Sequence, residues 1–315
     1  MDLTEAIACY GAYQDVRGDS ARHRSECRRI LNLAARHLQD PELSSITSED
    51  LIRFMSAVRR RPGLKGRRQV SDHTMLAYHR TLAALFAYLE ERGLRQPNPM
   101  AFVPRPKVAE YLIRPFSGDQ LQKLLAQPDT ESFTGLRDLT LMCFLLDTGC
   151  RISECLSLPL DHVDYERRIA RVMGKGQKER EVPFGRCTLA WLERYLERRS
   201  ASQATELLFV NQYGDRLTPN AVCHRISAYG RAAGLRGVRV SPHTFRHTFG
   251  VNWLLGTGEY KGDTLSLQKI LGHSTPAMTQ KYVHFAGQDL RKLHDRLSPG
   301  DQLAPPPPER RRRLL

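Results

Sequence analysis

The stretch GLRDLTLMCFLLDTGCRISE, residues 135–154, joins a long apolar segment to a charged one. Its middle, LTLMCFLL, is apolar at all but one position, which predicts a helix that is buried all round. Gly149 is then expected to end this helix. Arg151 follows between two apolar runs, so its guanidinium needs a partner, because an unpaired buried charge is costly. Glu154 is the candidate partner, either in a structural ion pair or as the group that holds Arg151 for an anion.

A second stretch, RRIARVMGKGQKEREVPF at residues 167–184, alternates apolar and polar residues on both sides of a glycine-rich centre. This pattern predicts a β-hairpin with a turn at GKGQK. The glycines allow close approach of another backbone and leave Lys175 free to move. A lysine in a hairpin turn is ordinarily only solvated, so Lys175 is a weak candidate when taken alone.

The third stretch, SPHTFRHTF at residues 241–249, predicts a helix that begins at its Ser-Pro pair. His243 and Arg246 then lie one turn apart on one face at the helix N-terminus. Backbone N–H groups, an arginine and a histidine at such an end suit a phosphate. The alternative is a surface or capping role for the pair.

Near the end of the chain, LGHSTPAMTQKYVHF at residues 271–285 places Tyr282 nine residues after His273. The Thr-Pro pair predicts the start of a short helix. Helical spacing places Met278 and Phe285 near Tyr282, as candidates for the contacts that anchor it. In isolation, Tyr282 is interpreted either as a core aromatic residue or as a hydroxyl presented for chemistry.

The first hundred residues have apolar residues at helical spacing in four segments, followed by a proline-rich stretch. The sequence therefore predicts a helical domain over 1–95, an extended interdomain linker over 96–115 and a second domain over 116–298. Residues 299–315, rich in proline and arginine, predict a disordered tail. Basic residues in an Arg/Gly-rich loop and in the linker are candidate phosphate contacts. They are Arg59, Arg60, Arg61, Lys65, Arg67, Arg68, Arg105 and Lys107.

The composition agrees with a polyanion as the partner. The 315 residues carry a formal net charge of +14, with basic residues spread over both halves of the chain. The seven cysteines are odd in number and form no CxxC pair, which predicts reduced, buried thiols. No signal peptide and no long apolar run is visible, so we expect a soluble, cytoplasmic, prokaryotic protein associated with the nucleoid.

Taken together, the motifs TGCRISE, GKGQKEREVP, HTFRHTF and LGHS, with a tyrosine nine residues after the last histidine, closely resemble the tyrosine recombinases, or phage integrase family. The resemblance extends over about residues 117–297. It implies a mainly α-helical chain with a small β-sheet: a helical core-binding (SAM-like) domain followed by an α+β catalytic domain. The implied catalytic set is Arg151, Lys175, His243, Arg246, His273 and Tyr282, with Glu154 in support.

The resemblance also implies a role for each residue. Two arginines meet the negative charge that develops on a phosphodiester, since each planar guanidinium binds two oxygens. His243 and His273 donate hydrogen bonds to the phosphate or carry the proton of the nucleophile. Lys175 protonates the 5′-oxygen that leaves. Tyr282 attacks phosphorus, which leaves a 3′-phosphotyrosine bond and a free 5′-hydroxyl.

The resemblance implies an assembly on DNA as well. Two protomers bind inverted half-sites of double-stranded DNA and four form a homotetramer, with a C-terminal element near Asp289–Leu297 passed to a neighbour. Accessory DNA-bending or directionality proteins are further candidate partners. No cofactor is expected, because the sequence shows no carboxylate cluster of the kind that two-metal nucleases use.

Three other readings are open. A type IB topoisomerase or telomere resolvase shares the chemistry, but the compact two-domain organisation favours a recombinase. A DNA-binding protein without catalysis is disfavoured by the full set of site residues. A zinc hydrolase is suggested by the i, i+4 spacing of His243 and His247, but such enzymes place a glutamate where this chain has Thr244.

Overall fold

The fold is described by a computed structural model for residues 1–62, 69–108, 114–174, 178–199, 205–256, 262–276, 278–280 and 282. The chain divides into two compact units, Met1–Tyr111 and Leu112–Leu315, with the division inside the predicted linker. Helices and a three-stranded sheet make the structure mainly α-helical with a small β-sheet, which confirms the predicted fold class. None of the helices in the described ranges is long and apolar enough to cross a membrane.

The described residues of the N-terminal unit form four α-helices, each started by a polar side chain that accepts a hydrogen bond from a backbone N–H of the first turn. They are α1 (Leu3–Val16), α2 (Ala21–Leu38), α3 (Ser48–Arg60) and α4 (Asp72–Glu91). Their apolar faces meet in one core around Phe54, Leu85 and Phe86. Burial of these faces is what stabilises the unit, since propensity alone supports helices of this length only marginally.

The prediction of an extended chain over 96–115 is wrong at its start. Pro99–Phe102 forms a short 3₁₀ helix, and the side chain of Asn98 accepts a hydrogen bond from the N–H of Met100 at 3.0 Å. Proline suits this position because its fixed φ matches a first helical residue. Met100 and Val103 are buried in the core of the N-terminal unit. The beginning of the predicted linker therefore belongs to that core.

The C-terminal unit surrounds α6, which is buried along nearly its whole length, as predicted. Its described α-helices include α5 (Gly118–Leu125), α6 (Phe133–Thr148), α7 (Ile152–Leu156), α8 (Arg186–Arg198), α9 (Pro219–Ala232), α10 (Pro242–Leu255) and α11 (Thr264–Leu271), and Leu160–His162 forms a 3₁₀ helix. Its strands, in the antiparallel order β1-β2-β3, are β1 (Val163–Asp164), β2 (Ile169–Met173) and β3 (Glu179–Pro183). Strands β2 and β3 form the predicted hairpin.

Two further predictions concern the cysteines and the C-terminal residues. All seven cysteines are free thiols, but Cys9 and Cys187 are exposed, so the prediction that the thiols are buried is wrong for these two. Both lie on outward positions of helices whose opposite sides are buried. The tail 299–315 and the element near Asp289–Leu297 lie outside the described residues.

Candidate active site

The corner between α6 and α7 presents the first arginine. Helix α6 ends at Gly149, as predicted, and Gly149 is in the left-handed conformation with φ 60°. Arg151 then caps α7, and the carboxylate of Glu154 accepts its backbone N–H at 2.8 Å and its Nη1 at 2.8 Å. The predicted ion pair is therefore present. The side chain of Glu154 is 4% exposed and that of Arg151 30% exposed. The Nη2 of Arg151 also lies 3.5 Å from the carbonyl oxygen of Gly272, so the guanidinium is held by Glu154 and is partly open to solvent.

Arg246 on α10 is the more deeply placed arginine, at 6% exposure. Its Nη1 donates to the carbonyl of Gly149 and its Nη2 to the carbonyl of Leu271, each at 2.7 Å. Both carbonyls end helices and lack partners within them, so they are natural acceptors for a cation. Burial, and then the nearby charge of Arg151, lower the pKa of Arg246 to about 10. Arg246 is therefore still charged at neutral pH.

His243 lies in the first turn of α10, on the exposed side. Partial burial of its ring lowers its pKa, and the charges of Arg239, Arg246 and Arg151 lower it further. A ring with a lowered pKa is neutral at pH 7, where one nitrogen donates a hydrogen bond and the other accepts one.

Tyr282 lies in a short helical segment formed by residues 276, 278–280 and 282, which we call the tyrosine helix. Its side chain is 3% exposed. Its ring is parallel to that of His273 at 6.1 Å between centroids and lies 5.4 Å from that of His247. Burial raises the pKa of Tyr282, while the charge and hydrogen bond of Arg246, and then Arg151, act against that rise. The phenol is thus both a buried aromatic residue and a neighbour of the buried cation.

Thr279, which sequence reasoning missed, connects His273 to the tyrosine helix. Its fully buried Oγ1 lies 2.9 Å from His273 Nδ1. The signal was its spacing of three residues before Tyr282, which places both on one face. Anchoring by Met278 is wrong: its side chain is 42% exposed, because it lies one position away from that buried face. Burial first, and then Arg246 and other nearby cations, lower the pKa of His273 to about 4, so its ring is neutral at pH 7.

Arg180 on β3 is a second residue that sequence reasoning missed. It donates two hydrogen bonds to the carboxylate of Glu154 and one to the carbonyl of Ile270. The signal was strand alternation, which places Arg180 on the same face as the buried Val182 and so predicts a charge in need of partners.

The remaining predicted residues are placed as follows. Lys175, Lys65, Arg67, Arg68 and Phe285 lie outside the described residues. In the N-terminal unit, Arg59 pairs with Asp72 at 2.5 Å, whereas Arg60, Arg61, Arg105 and Lys107 are exposed. Within the described ranges, no three His, Cys, Asp or Glu side chains form a group that would hold a metal ion. The structure brings together Arg151, Glu154, His243, Arg246, His273 and Tyr282; their catalytic roles are predictions.

Comparison with known proteins gives the family. The model of the phage integrase family matches residues 115–288. Tyrosine recombinase XerD of Vibrio cholerae serotype O1 is 34% identical over 219 residues, which cover 68% of this chain and 71% of that protein. Tyrosine recombinase XerD of Proteus mirabilis is 34% identical over 81% of this chain and 79% of its own length. Tyrosine recombinase XerC of Myxococcus xanthus is 35% identical over 73% and 78% of the two chains.

Solved structures share the fold. The Tn1549 transposon integrase in complex with transposon right end DNA matches with a TM-score of 0.73 and 20% identity, over 95% of this chain and 100% of that one. A lambda integrase dimer bound to a core site matches with a TM-score of 0.69 and 16% identity, over 88% of this chain and 97% of that one. With a family model across residues 115–288 and curated relatives about one-third identical over more than two-thirds of its length, this chain belongs to the phage integrase family and is a tyrosine-type site-specific recombinase.

Proposed function

We propose that this recombinase cleaves and rejoins double-stranded DNA through a 3′-phosphotyrosine bond to Tyr282, without a metal ion or ATP. One observation carries the proposal: the phenol of Tyr282 lies against the buried cation Arg246. A core tyrosine has no need of a cation beside its hydroxyl, whereas a nucleophilic tyrosine gains from one, because the charge stabilises the phenolate that attacks.

Arg246 and Arg151 hold the scissile phosphate together, each in a different way. Arg246 is fixed by two carbonyls and acts on the phenol of Tyr282 through its charge and a hydrogen bond. Arg151 is held by Glu154 and offers its open side to the non-bridging oxygens. When the phenol oxygen attacks, its bond to phosphorus forms while the bond from phosphorus to the 5′-oxygen breaks. The extra negative charge of the transition state is then shared by both guanidinium groups.

Proton movements complete the step. The phenol proton passes to a neutral histidine. His273 is the candidate in the tautomer whose Nδ1–H donates to Thr279 Oγ1, because Nε2 then carries the lone pair that accepts the proton. His243 donates a hydrogen bond to the phosphate from the first turn of α10. Lys175 supplies the proton that the 5′-oxygen takes up as it leaves, a role that the resemblance implies. The reverse of these steps, with a 5′-hydroxyl from a second strand, reseals DNA, because the phosphotyrosine bond retains the energy of the broken one.

The partner that we propose is double-stranded DNA with inverted half-sites, bound by two protomers per site and by four in the complex that exchanges strands. The net charge of +14 supports a polyanionic partner. The lambda integrase, similar in fold, is a dimer on a core site, which supports binding of one site by two protomers. Accessory proteins and a cytoplasmic location at the nucleoid are part of the same proposal.

A covalent-trapping experiment tests the proposal. Wild-type protein is incubated with sheared genomic DNA from its host, and DNA attached to protein is recovered and sequenced to find the cleavage site. A duplex of that sequence, nicked beside the cleavage point, then traps the covalent intermediate because the short fragment that carries the free 5′-hydroxyl diffuses away and cannot reverse the reaction. We expect a phosphotyrosine adduct at Tyr282 with wild type, also in EDTA, and none with Y282F.

The possible results separate the alternatives. Adduct formation by Y282F would contradict the assignment of the nucleophile, and loss of adduct in EDTA would support the metal-dependent alternative. Absence of any adduct with wild type would favour a DNA-binding protein without catalysis. Relaxation of a supercoiled plasmid that lacks the selected site would favour the topoisomerase alternative.

A further inference from the structure

Arg180 has no part in the steps above, although it lies among the groups that perform them. In the β2–β3 register it is directly opposite Val172, and it shares the inward face of β3 with Val182. An arginine on an inward strand position is costly unless every part of its charge is matched. The groups that Arg180 contacts therefore indicate its role.

The described partners of Arg180 belong to the candidate site or adjoin it. Its Nη2 donates to Glu154 Oε2 at 2.6 Å and its Nη1 to Glu154 Oε1 at 3.1 Å, which makes the pair bidentate. Its Nε donates to the carbonyl of Ile270 at 2.7 Å, in the last turn of α11. Two residues beyond the end of that helix is His273. One side chain thus connects the carboxylate that holds Arg151 with the helix end that presents His273.

Two glycines make room for this side chain. A Cβ atom on Gly272 would lie 3.0 Å from Nη1 of Arg180, and one on Gly174 would lie 3.2 Å from the same atom. Gly272 also has φ 62°, the left-handed conformation that ends α11. The glycines of the LGH and GKG motifs therefore border a slot that Arg180 fills.

The charges of Glu154, Arg151 and Arg180 explain why a second arginine beside Glu154 is useful. With Arg151 as its only partner, Glu154 would cancel the charge of that arginine, and the pair would offer little attraction to a phosphate. With Arg180 on the other side of the same carboxylate, the three groups keep one net positive charge. Arg180 is 12% exposed and Arg151 30%, so that charge is presented to solvent at Arg151. Glu154 can then orient Arg151 without neutralising it.

We propose that Arg180 is a positioning residue for DNA cleavage: it matches the charge of Glu154 so that Arg151 stays available to the phosphate, and it fixes the end of α11 that presents His273. The inference rests on the proposed function, since it assigns Arg180 to the same cleavage step. It is tested with the full chain and the nicked duplex that wild type selects from sheared genomic DNA.

The first measurement is the single-turnover rate of adduct formation at saturating duplex. We expect R180Q to be about 10- to 100-fold slower than wild type, the size of effect seen when a partner of a site residue is removed. R180K keeps the charge but not the bidentate geometry, so we expect it to lose less than R180Q. The matched control is R225Q, which removes an arginine from the buried Asp138 in the same unit. We expect R225Q to lower the melting temperature but to keep the wild-type rate.

A double-mutant cycle gives the second measurement. If Arg180 acts through Glu154, the loss of rate in E154Q/R180Q is smaller than the two single losses combined, and the part of the R180Q effect that persists in E154Q reports the contact with Ile270. Three results overturn the inference: a wild-type rate for R180Q, additive effects in the cycle, or an R180K rate no better than that of R180Q. If R180Q does not fold, R180K decides, and a rate equal to wild type overturns the inference. Absence of any adduct with wild type instead contradicts the proposed function.

Discussion

His273 owes its neutral ring to its surroundings. Burial and nearby cations hold its pKa at about 4, compared with 6.5 for an unperturbed histidine. Between these pH values the unfolded chain binds more protons than the folded one, so the folded state loses stability as pH falls. The stabilising contribution is complete above about pH 6.5 and is lost as pH falls through about 4.

We therefore expect the melting temperature of wild type to fall between pH 6.5 and 4, and that of H273Q to fall less. Differential scanning calorimetry across this pH range provides the measurement. H224Q, which changes an exposed histidine on α9, serves as the control and should follow the wild-type curve. An H273Q curve parallel to that of wild type would show that His273 is not the group that titrates.

Gly250 on α10 determines how closely the ring of Tyr282 can pack against that helix. A Cβ atom there would lie 2.9 Å from ring atoms of Tyr282, closer than such contacts allow, so the ring must shift in G250A. Displacement of a reacting group by about 1 Å can cost about 100-fold in rate. We expect G250A to slow adduct formation by at least about tenfold, measured with the nicked duplex. G118A is the control, because a Cβ atom there meets nothing within 4 Å, and its rate should match wild type.

At the scale of elements, the end of α6 is both a helix cap and part of the site. Gly149 has φ 60°, and a Cβ atom there would lie 2.4 Å from a ring atom of Phe249 and 2.8 Å from Leu271. Its carbonyl also holds Arg246. A side chain at this position therefore disturbs the conformation of the cap, the packing of α10 and α11, and the placement of the deeper arginine together.

For G149A we expect a loss of about 2–5 kcal/mol in the free energy of unfolding, the sum of left-handed strain and overpacking. G234A is the matched control: it has φ 66° and open space around the added Cβ, so it reports the strain alone, about 1–2 kcal/mol. Urea unfolding of both variants gives the comparison. Equal losses in the two would contradict the close packing at Gly149.

At the scale of the whole molecule, the positive charge of the protein is what first attracts DNA. Arg59 and Arg61 are near neighbours at the end of α3, but Arg59 is paired with Asp72 and Arg61 is exposed. The salt dependence of the DNA association constant K separates the contributions of Arg59 and Arg61. Each phosphate contact contributes about 0.9 to the slope of log K against the log of the salt concentration.

For R61Q we expect the slope to fall by about 0.9, with similar weakening on specific and unrelated duplexes. R59Q is expected to keep the slope and to lower the melting temperature instead, because it removes the partner of Asp72. Fluorescence anisotropy over a salt series measures both slopes. A lower slope for R59Q than for R61Q would reverse this assignment.

Local patterns in the sequence were enough to predict the helices, the β2–β3 hairpin, the end of α6 at Gly149 and the Arg151–Glu154 pair. Each depends on residues close together in the chain, where spacing and side-chain chemistry act directly. The 3₁₀ helix at Pro99–Phe102 was missed, because burial of Met100 in a core formed by distant helices decides it.

The sequence by itself determined the family, the order of the site residues and the need of Arg151 for a partner. Only the tertiary structure decided that Tyr282 is buried beside Arg246, that Thr279 holds His273 and that Arg180 shares Glu154. The reason is physical: these contacts join β3 to α7 and the tyrosine helix to α10 and His273, and the packing of separate elements sets distances that no local spacing encodes.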